Sequence, residues 1–213
     1  MIIETITEEL DFTITFKDII EESKYPHIKI VLECFDIEFN IKDNFIEIMN
    51  CNNVIRWDDI KKYDDLSILY NKGKILSNNL VKLSRHLKTS DLGYSYINQP
   101  VVIYKDNDFF IIPMDFDLIH NILNNTITIN NIEKSDPYLP LELKEVNELP
   151  YNQHFKLFYS SIGLILYDYL FTWNNSITDA ESNINKLVLL PLHYILKICL
   201  LEKNIEQKVI CYI

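Results

Sequence analysis

The segment that most limits how this chain can fold is FKLFYSSIGLILYDYLF, residues 155–171. Its apolar side chains fall all around a helix instead of along one stripe. A helix of that kind is buried on every side, so the segment predicts a helix that runs through the core of a folded domain. Asp168 interrupts the apolar run, and no run in the chain approaches membrane-spanning length, so we expect no membrane span.

The overall charge of the chain limits its partners. The chain has 213 residues, a hydrophobic share of 48% and a formal net charge of −11. That length and apolar content suit one compact unit with a sizeable core. A chain with this net negative charge would not release counterions from a phosphate backbone. We therefore expect protein, cation or small-molecule partners and no nucleic acid. The one local basic patch is VKLSRHLKTS, residues 81–90, which we interpret as the solvated face of a helix.

The cysteine, serine and histidine residues give no motif for catalysis or for zinc binding. The cysteines are far apart, and neither a C-x-x-C pair nor a histidine at zinc-finger spacing accompanies them. Ser160 and Ser161 with His154 lack a G-x-S-x-G turn, and the predicted core helix buries both serines. The first residues, MIIETITEEL, carry acids where a secretory signal carries Lys or Arg. We therefore expect reduced cysteines and a cytoplasmic protein.

Local patterns predict further elements after residue 57. Residues 58–90 contain leucines at helical spacing, which predicts a helix with one apolar face. Residues 100–116, PVVIYKDNDFFIIPMDF, have two β-branched and aromatic arms around a polar turn, which predicts a β-hairpin. Residues 120–136 are rich in Asn and predict a loop. The final apolar stretch, residues 186–204, predicts a buried helix that starts near Pro191, because Pro suits the first turn of a helix.

The first part of the chain shows weaker patterns. Residues 15–25, TFKDIIEESKY, place apolar side chains on one helical face, and Pro26 would end that helix. Residues 27–39, HIKIVLECFDIEF, and residues 43–51, DNFIEIMNC, then predict the two arms of a β-hairpin. We therefore expect one helix and about two strands before residue 57.

The order of these elements, together with several short strings, resembles the eukaryotic-type protein kinase domain from its regulatory αC helix onward. VVIYKDNDFFIIPMDFD, residues 101–117, is similar to the strand, turn and strand that deliver the metal-binding D-F-G of that family. DPYLPLEL, residues 136–143, resembles the segment that ends in A-P-E. YSSIGLILYDYLF, residues 159–171, resembles the hydrophobic αF helix. The strings occur in unbroken order from about residue 16 to about residue 210.

The resemblance implies an α+β, protein-kinase-like fold in two parts. Residues 1–57 would form a reduced N-lobe with the αC helix and about two of the usual five strands. Residues 58–213 would form a mostly helical C-lobe, joined to the first part in one compact unit. So reduced a kinase domain, with a composition typical of an AT-rich genome, would suit a large DNA virus, and the protein would then lie in the host cytoplasm or the virion.

The resemblance also assigns roles to individual residues. Asp115 would be the metal-binding Asp, and Asp117 stands where the family has Gly, so these two are the metal candidates. We interpret Asp115 as an inherited metal position that now acts as a structural cap. Glu142 would be the Glu of A-P-E, with Lys208 in place of its Arg partner, and Asp18 falls near the αC Glu. These three would be structural residues.

The catalytic groups of the family are missing from the matching positions. Residues 1–15 contain no Gly and no Lys, so the phosphate-binding loop and the strand Lys are absent. Phosphoryl transfer depends on positioned cations and carboxylates around the phosphates. A Ser hydroxyl accepts no proton near neutral pH, so it cannot replace the catalytic Asp. In the catalytic loop, Tyr94 stands at the position of the Arg, Ser95 at the base Asp, Ile97 at the Lys and Pro100 at the metal-binding Asn. Phe158 stands at the position of the Asp that anchors this loop.

These losses favour a noncatalytic, kinase-like protein that uses no cofactor and acts as a protein-interaction or regulatory module. Its expected partner is an active kinase, an assembly factor or a second copy of the chain. An alternative is an atypical metal-dependent phosphotransferase that uses Asp115 and Asp117 with Mg²⁺ and ATP. A third hypothesis is an unrelated α+β structural protein whose kinase-like strings are coincidence.

Overall fold

The protein combines helices with small antiparallel sheets, which confirms the predicted α+β class. The chain divides into two compact units, one of residues 1–60 and 99–117 and one of residues 61–98 and 118–213. None of the helices within the described residues has the length and hydropathy needed to cross a bilayer. The computed structural model describes residues 3–8, 11–16, 24–42, 45–60, 66–97, 100–105, 108–113, 116–121, 126–128, 139, 148–150, 154–172 and 176–201.

The regular elements are numbered here in chain order. The helices are α1 (Tyr25–Glu33), α2 (Leu66–Thr89), α3 (His154–Phe171), α4 (Ile177–Asn185) and α5 (Pro191–Leu201). The strands are β1 (Ile3–Glu8), β2 (Asp11–Phe16), β3 (Phe39–Lys42), β4 (Phe45–Ile48), β5 (Asn53–Arg56), β6 (Leu92–Tyr94), β7 (Val101–Lys105), β8 (Asp108–Ile112), β9 (Ile119–Asn121), β10 (Thr126–Thr128) and β11 (Glu148–Pro150).

The first unit contains an antiparallel sheet of four strands in the order β1-β2-β4-β3. The expectation of about two strands was therefore wrong. Phe16, which was predicted to start a helix, is the last residue of β2. The hairpin around residues 43 and 44 is confirmed, but its first arm is shorter than predicted and begins only at Phe39.

Helix α1 occupies residues that were predicted to form a strand. The apolar run that suggested a strand places Ile28, Val31 and Leu32 on one buried face, which is the spacing of a helix. Pro26 lies in the first turn of α1, and residues 17–23 of the helix predicted before it lie outside the described residues. A proline is accepted there because the first backbone N–H groups of a helix have no partner within it.

A second sheet of the first unit has the order β5-β7-β8. Strands β7 and β8 form the hairpin predicted for residues 100–116, with Val101 opposite Ile112 and Lys105 opposite Asp108. The side chains of Val101, Val102 and Ile103 are fully buried, as expected for a central strand.

The second unit is built around α3. Helices α2 and α5 both pack against it, and α4 packs against α5. The prediction of a buried helix is confirmed, because Ile162, Ile165 and Leu166 of α3 are fully buried. The leucine-rich helix is confirmed at α2, and the closing helix begins at Pro191 as predicted.

Two pairs of short strands complete the second unit. Strand β6 pairs with β9, and β10 pairs with β11, both antiparallel. The prediction of a loop over residues 120–136 was therefore wrong at its start and at residues 126–128. The partner of β10 lies at residues 148–150, and a pairing over that separation leaves no local pattern in the sequence.

Candidate functional site

The metal-binding and structural residues predicted from the sequence fall mostly outside the described residues. Asp18, Asp115, Glu142 and Lys208 all lie in undescribed segments. Asp117 belongs to the short 3₁₀ turn Phe116–Leu118, but its side chain is not among those described. Within the described ranges, no three His, Cys, Asp or Glu side chains come together as a metal site. The metal hypothesis for Asp115 and Asp117 stays a prediction.

Residues 93–97 of the segment that aligns with the catalytic loop are described and lie in the second unit, whereas residues 98 and 99 are outside the described residues and Pro100 belongs to the first unit. We call residues 94–97 the buried loop. The exposed fractions of Tyr94, Ser95, Tyr96 and Ile97 are 1%, 2%, 1% and 0%. A group that moves a proton to or from a substrate must come within hydrogen-bonding distance of it. None of these four side chains is open to a substrate in solution.

Helix α3 holds one side of the buried loop. The backbone N–H of Ile97 donates to Oγ of Ser161 at 2.9 Å, and Ser161 is fully buried. The ring of Tyr94 stacks on the ring of Phe158, with 5.6 Å between centroids and 15° between planes. The position that the resemblance gives to the anchoring Asp therefore holds an aromatic ring. The loop is fixed by that ring and by a neutral hydroxyl three residues further along α3.

Strand β9 and the residue before it hold the other side. The backbone N–H of Ser95 donates to the carbonyl oxygen of Leu118 at 3.1 Å. Nδ1 of His120 lies 3.2 Å from Oγ of Ser95 and 3.1 Å from the same Leu118 oxygen. Nδ1 can donate to the Leu118 oxygen in one tautomer of His120 and can accept from the Ser95 hydroxyl in the other. In both tautomers His120 contacts the Ser95 side chain inside the protein.

Sequence reasoning missed the groups that organise this site. The hydrogen bond from Ile97 to Ser161 joins residues 64 apart in the chain, and that between Ser95 and His120 joins residues 25 apart. The hydroxyl of Ser84, on α2, also donates to the hydroxyl of Tyr159, 75 residues further on, at 3.3 Å. Contacts at such separations leave no local signal. The prediction that the core helix would bury Ser160 and Ser161 is confirmed for Ser161 but was wrong for Ser160, which is only partly buried.

The interior of the described residues contains little that can carry charge. The described cysteines Cys34, Cys51 and Cys199 are buried free thiols. Burial raises the pKa of Cys199 to about 12, so it stays a neutral thiol at physiological pH and is a poor nucleophile. The buried polar side chains of the described residues are Ser77, Asn79, Ser84, Ser95, Ser161 and His193.

Comparison with known proteins adds no relative. No protein-family model matches the sequence, and no curated protein matches it in a sequence search. The function must therefore be argued from the residues and their contacts.

Proposed function

We propose that the chain is a noncatalytic protein with a kinase-like fold, which acts as an interaction or regulatory module for another protein. The order of its elements supports the kinase-like fold. Helix α1, which occupies residues predicted as a strand and not the predicted αC segment 15–25, is followed by a hairpin, a long helix and a second hairpin, and that hairpin ends three residues before Asp115. Two further helices of the predicted series, α3 and α5, follow in the expected order.

Contacts within the second unit support the same proposal. In the resemblance, residues 94–97 correspond to the catalytic loop and α3 to the central hydrophobic helix. The protein joins these two parts directly, through the bond from Ile97 to Ser161 and the stacking of Tyr94 on Phe158. A catalytic loop seated on this helix is the arrangement that the resemblance requires.

The burial of residues 94–97 is the observation that carries the noncatalytic part of the proposal. Phosphoryl transfer needs charged groups held at the phosphates and a base beside the acceptor hydroxyl. At the matching positions this chain has two hydroxyl-bearing side chains and an aliphatic one, each at most 2% exposed. Ser95 is further occupied by Leu118 and His120. The loop acts as part of the core and leaves no group for proton transfer.

A nucleotide-binding test addresses this proposal directly. A ligand that binds only the folded state stabilises it by RT ln(1 + [L]/Kd), so millimolar MgATP reports even weak binding as a rise in Tm. We expect a shift below about 1 °C for the native protein. Asp115→Asn should have the same small response, and purified protein should release no ADP.

The matched control is Asp108→Asn, which makes the same charge change at the start of β8, in the hairpin that precedes Asp115. A rise of several degrees with MgATP that Asp115→Asn abolishes and Asp108→Asn retains would contradict the proposal. Steady ATP turnover by the native protein would contradict it as well.

The interaction role has its own measurement. Because the chain is strongly acidic and has no group for catalysis at the buried loop, its activity should consist of binding another protein. Protein purified at its native level should elute as a stoichiometric complex in size-exclusion chromatography with light scattering. A well-behaved monomer under the same conditions counts against an interaction module.

A further inference from the structure

Helix α2 carries a net positive charge, whereas the rest of the chain is net negative. Its 24 residues include five Lys or Arg and no Asp or Glu. Since α2 contributes +5 to a chain total of −11, the remaining residues carry −16. A concentration of one sign of charge on one helix creates a local field opposite to that of the whole protein.

Four of these cations share one face of α2. At 100° per residue, Lys74, Lys82, Arg85 and Lys88 fall within an arc of about 120°. We call these four residues the basic stripe. Lys82, Arg85 and Lys88 are exposed, and Lys74 is partly exposed with its Nζ 5.4 Å from the ring centroid of Tyr70. With a rise of about 1.5 Å per residue, the stripe is about 21 Å long.

The opposite face of α2 explains why the stripe is fixed in place. Leu76, Leu80, Leu83 and Leu87 are at most 1% exposed. This face belongs to the core that α2 forms with α3, α5 and β6. The cations therefore stand on a helix that cannot rotate, and their spacing along the surface is constant. The sequence suggested only a solvated face over residues 81–90, because Lys74 lies outside that run.

We propose that the basic stripe docks an acidic segment of a protein partner. This inference rests on the proposed function and specifies that the binding segment of the partner is acidic. An extended peptide rises about 3.3 Å per residue, so six or seven residues cover the stripe. Carboxylates spaced along such a segment would pair with several Lys and Arg side chains together. Single exposed ion pairs contribute little, so binding depends on the whole stripe and weakens with salt.

The charge around the stripe favours a short acidic peptide over a nucleic acid. Asp91 is exposed and lies two residues beyond the end of α2, so it places a carboxylate beyond one end of the stripe. A long phosphate backbone would extend past the stripe into the field of a remainder that carries −16. Charges repel over a Debye length of about 8 to 10 Å in physiological salt. A peptide of six or seven residues stays on the stripe.

Fluorescence anisotropy with a labelled acidic octapeptide, in which Glu alternates with Ser, tests the inference. The native chain should bind it saturably at low salt and more weakly as salt rises. Lys82→Glu with Arg85→Glu should weaken binding about tenfold or more, because two attractions become repulsions. Lys82→Gln with Arg85→Gln should give a smaller loss in the same direction.

The matched control is Lys186→Glu with Lys197→Glu, which gives the same net charge at exposed positions of the second unit outside α2. Its affinity for the octapeptide should stay within about twofold of native. The Gln analogue of the peptide should not bind, and circular dichroism should show each variant folded.

Three outcomes would overturn the inference. They are no saturable binding of the octapeptide, equal losses in the stripe and control variants, and tighter binding of a short DNA duplex than of the peptide. The two proposals fail separately. ATP turnover would overturn the noncatalytic function and leave peptide binding standing, whereas a flat response to both MgATP and the peptide would overturn only the docking role of the basic stripe.

Discussion

Two sides of helix α3 are held by different forces. Where α5 packs on it, Gly163 comes so close that a Cβ there would lie 2.7 Å from Cβ of Cys199. Where the buried loop packs on it, Oγ of Ser161 accepts the backbone N–H of Ile97. The first contact depends on shape and has no room for an added atom. The second depends on a polar pair and cannot lose an atom without leaving a buried donor unpaired.

The comparison explains how one helix can serve as core and as support for a loop. Close packing fixes the position of α5 on α3, but packing alone would not fix the register of the buried loop against α3. A hydrogen bond to one backbone N–H fixes the register of residues 94–97, because a shift by one residue would leave Ile97 without its acceptor. Adding atoms to a side chain should therefore reduce stability most at the α3–α5 contact, and removing side-chain atoms should reduce it most at the contact between α3 and the buried loop.

Gly163→Ala should show the largest effect. The new Cβ would lie 2.7 Å from Cβ of Cys199 and 3.0 Å from two carbons of Leu200. The Cys199 Cβ is attached to the backbone of α5, so the helices must separate. We expect the free energy of unfolding to fall by about 2 to 3 kcal/mol, despite the helix propensity gained by Ala. Urea denaturation followed by circular dichroism measures this change.

Gly73→Ala is the matched control for that variant. A Cβ at Gly73 would meet Cδ1 of Leu192 at 3.1 Å, and this atom is the far end of a flexible side chain. The gain of about 1 kcal/mol in helix propensity should offset the crowding, so stability should change little. Equal losses in the two variants would show that close helix packing is not specific to the α3–α5 contact.

Ser161→Ala should have the next largest effect. Removing Oγ leaves the N–H of Ile97 buried without an acceptor, which costs about 1 to 2 kcal/mol. Hydrogen exchange of the Ile97 amide should also become faster, since the bond that protects it is lost. Ser160→Ala makes the same change at a half-buried neighbour and should stay within about 0.5 kcal/mol of native. Slow exchange at Ile97 in Ser161→Ala would rule out this hydroxyl as the anchor.

Elements with local patterns could be predicted from the sequence. The hairpin of β7 and β8 combines two apolar arms with a polar turn, and α5 begins at a proline that suits a first turn. Helix α1 was misassigned because its Ile and Val residues favour strands when they are read in isolation. The burial of Ile28 and Val31 on one face decides for a helix, and that burial depends on distant parts of the chain.

The candidate site divides in the same way. The sequence predicted, through its resemblance to a protein kinase, that Ser95 and Ile97 replace charged residues of a catalytic loop, and that correspondence stays a prediction. It could not show which groups hold these two residues in place. The contacts of His120 and Ser161 with the loop join segments that are distant in the chain, so only the folded arrangement reveals them.

In the turn between α4 and α5, packing contributes little to the conformation, so a substitution there should change the free energy of unfolding least. Leu189 has a φ of 75° and is 82% exposed, so its side chain gains little from burial while its backbone is strained. Leu189→Asn should raise the free energy of unfolding by about 0.5 to 1 kcal/mol, because Asn tolerates the left-handed region. Val188→Asn, at an exposed neighbour without a positive φ, should give no gain in the same urea titration. A gain in both variants would mean that reduced exposed apolar surface, and not relief of backbone strain, stabilises the turn.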